Sequence, residues 1–196
     1  MKSLRFLGKE IILGTLIALL SVFTAVASLQ GAQADGKQND YEILGMKSLN
    51  DGNAEYLRSN QDITQDYNYF DNWYLNLDER PDVAEYYQGS FSQALLDAVD
   101  RDPDTVWDEQ YYAAVYADAD AYFEASDANF EIAALWNDRG DQLQLVLMIM
   151  ALGLAFAAWA SLLKDEGNMR VLFALLAVVT LALGVVAYLN VPVVIA

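Results

Sequence analysis

The run Asp100–Arg101–Asp102–Pro103–Asp104, followed by Asp108 and Glu109, gathers carboxylates at a spacing a hard cation would use. Counted from Asp100, acids stand at positions 1, 3, 5 and 9 of a calcium loop, but an EF-hand also takes Gly at position 6 and a bidentate Glu at position 12. Thr105 and Tyr111 occupy those two places, so the pattern fails twice. If calcium binds, Asp100, Asp102, Asp104 and Asp108 are the ligands; no other cofactor is expected. A rival reading explains the same residues as a helix start: Asp102 as N-cap, Pro103 at the first helical position, Asp104 in the first turn. Asp118 and Asp120, two apart on a helix, do not share a face and read as solvated.

Other chemistry is scarce. The 196 residues contain no Cys and no His. Disulfides, thiolate metal sites and Ser-His or Cys-His nucleophile systems therefore have no residues to work with, and the commonest general base is missing. There is no P-loop, dinucleotide-binding glycine pattern or nucleophile elbow. An enzyme is not expected.

The elements that must position these side chains are set by three uncharged apolar stretches, Ile11–Leu29, Leu145–Leu163 and Val171–Leu189. Each is close to the roughly 20 residues that cross a bilayer core as a helix, the form that satisfies backbone polar groups within the segment. The lipid bilayer is thus the first partner. No ionisable residue lies inside these stretches, whereas pumps and coupled transporters normally carry such groups as relays.

Charge is distributed as unevenly as hydropathy. Between Gly31 and Arg139 there are 24 acidic residues against 6 basic ones, a net of −18, and the rest of the chain nets about +1. Such a field repels nucleic acid and anionic surfaces and attracts cations and basic proteins. A solubilising surface, of the Asp-rich kind that high-salt adaptation produces, is favoured over an electrostatic docking face for a basic partner. Lys2, Arg5 and Lys9 precede the first span, and Lys164 and Arg170 lie between the last two, so the positive-inside rule places both flanks in the cytoplasm. Trp159 and Tyr188 fit interfacial anchoring positions, and Lys164–Gly167 reads as a tight turn. A multi-pass protein of the cell membrane is expected: cytoplasmic N-terminus 1–9, spans 10–30, 141–163 and 171–189, cytoplasmic turn 164–170, extracytoplasmic domain 31–140 and tail 190–196. The N-terminus also has features of a cleaved signal (basic start, apolar run, Ala32–Gln33–Ala34 before Asp35), although its apolar run exceeds the usual length and favours a retained anchor.

The spacing predicts an all-α fold. In span one, Gly14, Ala18, Ser21, Ala25, Ser28 and Ala32 alternate at fours and threes, forming a stripe suited to close helix approach in lipid. Gly153, Ala157 and Ser161 do the same in span two. Outside the membrane, Tyr56, Ile63, Tyr67, Phe70, Tyr74 and Leu77 follow a coiled-coil-like seam. Trp107, Tyr111, Val115, Ala119, Tyr122, Phe130 and Ala133 form a second, with Ser90 as N-cap of a short helix through Val99 between them. Asp51–Gly52–Asn53 is a turn or kink signal upstream of the first seam. The expected assembly is an antiparallel helical hairpin between spans one and two, its tip near residues 79–103. Its exposed faces call for lateral association with copies of itself or with other membrane subunits.

Gly31–Ala32–Gln33–Ala34–Asp35, Gln38–Asn39–Asp40 and Lys47–Ser48–Leu49 just beyond span one, together with the anchor, arm, return arm and two-span layout, resemble the DUF4337 family of uncharacterised prokaryotic membrane proteins. The family's long basic, His-containing return stretch is absent here. The resemblance implies the architecture and no catalytic residues. The expected role is structural, scaffolding or assembly through helix–helix association. The alternatives are an accessory subunit whose acidic domain docks a basic soluble partner such as a cytochrome, and a calcium-responsive sensor.

Overall fold

A computed structural model describes residues 6–164 and 167–195; Lys2, Arg5, Asp165 and Glu166 of the flanks and turn lie outside the described residues. Those described contain five helices and no strand: α1 (Glu10–Asn76), α2 (Pro81–Gln88), α3 (Gln93–Arg101), α4 (Glu109–Leu162) and α5 (Asn168–Leu189). Three of them, α1, α4 and α5, contain stretches long and apolar enough to cross a membrane. The chain divides into two compact units, one of residues 1–42 with 131–196 and one of residues 43–130.

The first unit packs the apolar parts of α1, α4 and α5. Leu20, Ala27, Val146, Met150, Ala157 and Ala177 form one cluster, and Leu13, Ala160 and Ala174 with Leu7 another. Glycines set the closeness of this packing. A Cβ on Gly153 would stand 2.7 Å from Leu20 and 2.6 Å from Thr180, and one on Gly184 would stand 2.6 Å from Met150. The ends of the bundle are tied by polar side chains. Buried Arg170 donates to Gly8 O (2.7 Å) and Leu163 O (2.8 Å), and Gln30 donates to the Tyr188 hydroxyl (2.8 Å). Tyr188 also meets Phe23 edge-on, while Trp159 is exposed.

The second unit holds the rest of α1, both short helices and the start of α4. No turn forms at Asp51–Gly52–Asn53; α1 continues through it. Gly52 serves close approach instead, because a Cβ there would lie 2.9 Å from the Phe123 ring and 3.2 Å from Tyr122 Cβ. Gly45 meets Phe130 in the same way, at 2.9 Å. The polar residues that would weaken a helix interior are occupied along its last turns. Thr64, Asn68, Asn72 and Asn76 each donate a side-chain hydrogen bond to the carbonyl four residues earlier.

Residues 79–103 contain two helices. Pro81 sits at the start of α2, where its missing N–H is no loss, and Asp82 lies in the first turn. Ser92, not Ser90, caps α3: its hydroxyl accepts from Leu95 N at 3.1 Å. Asp102 closes α3 at its C-terminal end instead of opening a helix, and Asp108 opens α4 by accepting from Tyr111 N at 2.7 Å. Proximity to a proline suggested the first cap. The Asp108 cap lies six residues further on.

Replacing Gly52 by Ala should therefore destabilise the protein by about 1–3 kcal/mol through overpacking against Phe123 and Tyr122. Gly14→Ala, with nothing within 4 Å of the new methyl, should be neutral or stabilising by roughly 0.5–1 kcal/mol. Thermal melts followed by circular dichroism in detergent separate the two; equal behaviour would remove the close-approach role of Gly52.

Candidate functional site

Two arrangements concentrate the polar and small residues of this chain. The first is a buried carboxyl group. Asp66 is 2 % exposed on α1, and three donors converge on it: Ser92 N (3.1 Å) and Ser92 Oγ (2.5 Å), plus the Tyr111 hydroxyl (2.9 Å). Ser92 simultaneously caps α3, and Tyr111 N is held by Asp108. One carboxyl group thus joins α1, the α3 N-terminus and the first turn of α4. Around it lie Ile63, Trp73, Phe91, Leu95 and Val106, with Trp107 stacked among Tyr67, Phe70 and Tyr111 at centroid distances of 4.1–5.5 Å. Among the described residues this cluster is filled by rings and aliphatic side chains.

From Asp66 the contact line runs along α1 at intervals of seven: Gly45, Gly52, Ser59, Asp66 and Trp73 are all buried. Opposite them on α4 are buried Ala119 and Ser126. Ser59 Oγ donates to Val115 O at 2.7 Å and Ser126 Oγ to Gly45 O at 3.0 Å, so lower α1 numbers meet higher α4 numbers. Small residues at heptad spacing let the two backbones approach and let hydroxyls reach across.

This line is rotated from the aromatic seam read from the sequence. Of those residues, Ile63, Tyr111, Ala119 and Ala133 are buried, and Phe70, Val115, Trp107 and Phe130 are partly so. Tyr56, Tyr67, Tyr74, Leu77 and Tyr122 are exposed, Leu77 lies past the end of α1, and Trp107 precedes α4. The rings flank the contact and pair with one another. Tyr56 stacks on Tyr116 at 5.1 Å, and Tyr67 shares a hydrogen bond with Tyr112 at 2.6 Å. Seven-residue spacing of Gly and Ser was the available signal, hidden by bulkier residues on either side.

In the acidic loop, Arg101 grips both oxygens of Asp108 (2.7 and 2.8 Å), and Asp102 accepts from Asp104 N at 3.0 Å in a local turn. The Arg101 hydrogen bond and the Tyr111 cap hold the Asp108 carboxyl below the usual range. Asp100, Asp102 and Asp104 are exposed. Among the described residues, no three His, Cys, Asp or Glu side chains are grouped so as to hold a metal ion.

The second arrangement is on span one. Gly14, Ala18, Ser21, Ala25, Ser28 and Ala32 are all exposed, and a Cβ on Gly14 would meet nothing within 4 Å. Intramolecular packing uses the other face, Leu13, Leu16, Leu20, Ala27, Gly31 and Ala34. In span two, Gly153 and Ala157 are buried against neighbouring spans, and exposed Ser161 donates to Ala157 O.

Asp66→Ala should cost about 3 kcal/mol, because it strands the buried Ser92 and Tyr111 donors. A loss below about 0.5 kcal/mol in a thermal melt would show that the carboxyl group does not hold this unit together. Tyrosine protons give a second check. The hydrogen bond to Tyr112, then burial, pushes Tyr67 from 10.0 up to about 12, and burial and Asp66 push Tyr111 up as well. A raised pKa stabilises the fold in full below the unfolded value and loses that contribution as pH climbs through the folded one. The melting temperature should accordingly fall between about pH 10 and 12, less steeply in Tyr67→Phe, with late-titrating tyrosines visible in the ultraviolet. A slope unchanged in Tyr67→Phe would contradict the assignment.

No family model matches this chain, and comparison with curated proteins and with solved structures finds no significant match.

Proposed function

We propose that this chain is a non-enzymatic integral membrane protein with a scaffolding or assembly role, acting through helix–helix association in the bilayer. The observation that carries this reading is the stripe Gly14–Ala32. Its six small residues share one exposed face of α1, while the chain's own spans pack against the opposite face. In lipid there is little hydrophobic drive between helices, so association depends on close backbone approach, which a small-residue face permits. A second copy of the chain is the simplest occupant. The topology proposed with it is a cytoplasmic N-terminus and an extracytoplasmic acidic domain built as an antiparallel helical hairpin. Membership of the DUF4337 family, proposed on the resemblance alone, would agree with a non-catalytic role.

A second reading, an accessory subunit of a larger membrane complex, draws on the unbalanced acids. Against 24 acidic residues in positions 31–139, the described residues hold three ion pairs: Lys37–Asp40, Arg58–Glu55 and Arg101–Asp108. A basic soluble partner would meet a strongly attractive field.

Because the chain has no cysteine, Ser21→Cys and Ser28→Cys introduce unique reporters on the stripe. Oxidation in membranes should link two copies at both positions and not at Ser161→Cys on span two. Ala18→Leu with Ala25→Leu should shift the mass in mild detergent from oligomer to single chain without changing helix content. Unaltered mass and no cross-linking would reject self-association, and stoichiometric foreign chains in the preparation would move the assignment to the accessory subunit.

A further inference from the structure

A cavity of about 630 Å³ lies in the first unit, just past the polar ends of the apolar stretches of α1, α4 and α5. Its walls come from α1, from α4 and from the segment after α5, and include Gln33, Lys37, Asp40, Trp136, Arg139 and Val193. The charge of this wall runs against its surroundings. Residues 31–139 carry only six basic side chains among 24 acids, yet two of the six, Lys37 and Arg139, line this one cavity, where Asp40 is the only carboxylate among the described lining residues. Lys37 pairs only loosely with Asp40, at 3.9 Å between exposed side chains. Arg139 gives one guanidinium nitrogen to Pro192 O and retains further donors of its planar fork.

Trp136 also lines the cavity. Its indole N–H is buried and has no hydrogen-bond partner among the described residues. Lys37 and Arg139 thus set two cations in this lining against the single Asp40 carboxylate, with the Gln33 amide beside them. Val193 and Val194 supply an apolar wall beside them. The volume falls within the range of ordinary ligand pockets.

We propose that this cavity binds a phosphate-bearing anion, and that its source is the headgroup of an anionic phospholipid. Phosphate oxygens are acceptors only and suit an Arg fork and a Lys ammonium at once. The cavity opens where the uncharged stretches of the helices give way to polar sequence, the depth at which headgroup phosphates reside. The lipid source rests on the reading that these stretches cross a bilayer; the anion site itself does not.

Native mass spectrometry of the full chain, reconstituted in phosphatidylglycerol or phosphatidylcholine nanodiscs and released into mild detergent, tests the site. The wild type should retain phosphatidylglycerol in preference to phosphatidylcholine. Lys37→Gln and Arg139→Gln should each weaken retention about tenfold, as expected for loss of a charge-assisted contact. Circular dichroism of both charge variants, with helix content unchanged, guards against their misfolding. If phosphatidylglycerol is not retained but inorganic phosphate raises the melting temperature of the wild type and not of the variants, the anion site stands and the lipid source is wrong. Retention identical in all variants, or no preference for phosphatidylglycerol together with no phosphate effect, overturns the proposal. Carbonate washing of membranes is the separate control: release of the chain would remove the membrane reading, whereas a retained chain with no anion binding fails the site alone.

Discussion

The buried carboxyl group of Asp66 is the constraint around which residues 43–130 are arranged. Three donors from two other segments reach it, and each donor has a further structural duty. Ser92 starts α3 while holding Asp66, and Tyr111 is anchored at its backbone by Asp108 while its hydroxyl turns inward. A buried polar group is tolerated only when its partners are supplied by geometry. The positions of α3 and of the α4 start are therefore not independently adjustable: moving either one strands a donor in an apolar setting of Trp73, Phe91 and Leu95. Rings supply the area, and Asp66 selects one arrangement of them. The charge-gripping pair Arg101–Asp108 then fixes the loop between the two helices.

What could be read from the sequence follows the strength of each physical signal. Three uncharged stretches of bilayer length have few alternative explanations, and α1, α4 and α5 contain them. Helical periodicity on both sides of residues 79–103 likewise marked α1 and α4. The details failed where several residues competed for one role. Ser90 and Ser92 are chemically equal caps, and only the donor Leu95 N distinguishes them. Asp102 beside Pro103 is a stronger local start signal than Asp108, but Asp108 is fixed by Arg101 across the loop, a pairing that N-cap signals do not carry. Asp51–Gly52–Asn53 carries turn chemistry that tertiary packing overrides, because Phe123 occupies the space a side chain would need. The small-residue stripe of span one was legible as a stripe, but its outward direction was not. That depends on which face Leu13, Leu16 and Leu20 turn to the other spans.

The two units solve close packing with the same device. In the first, glycines at 153 and 184 receive Leu20, Thr180 and Met150. In the second, glycines at 45 and 52 receive Phe130 and Phe123, and hydroxyls of Ser59 and Ser126 cross to main-chain carbonyls. Absent side chains bring helices near enough for dispersion contacts that do not depend on water to drive them. Those contacts hold in lipid and in water alike.

The tie made by Arg170 has a consequence for how the chain is born. Its partners, Gly8 O and Leu163 O, are separated from each other by most of the sequence, and Arg170 is synthesised 162 residues after Gly8. A ribosome delivers the first span long before the guanidinium that fastens its leading end exists. That end must wait for this tie through the whole making of the acidic domain and of α4. The arginine that the positive-inside rule reads as an address label is thus also a late stitch of the bundle, followed by those at Tyr188 and Pro192.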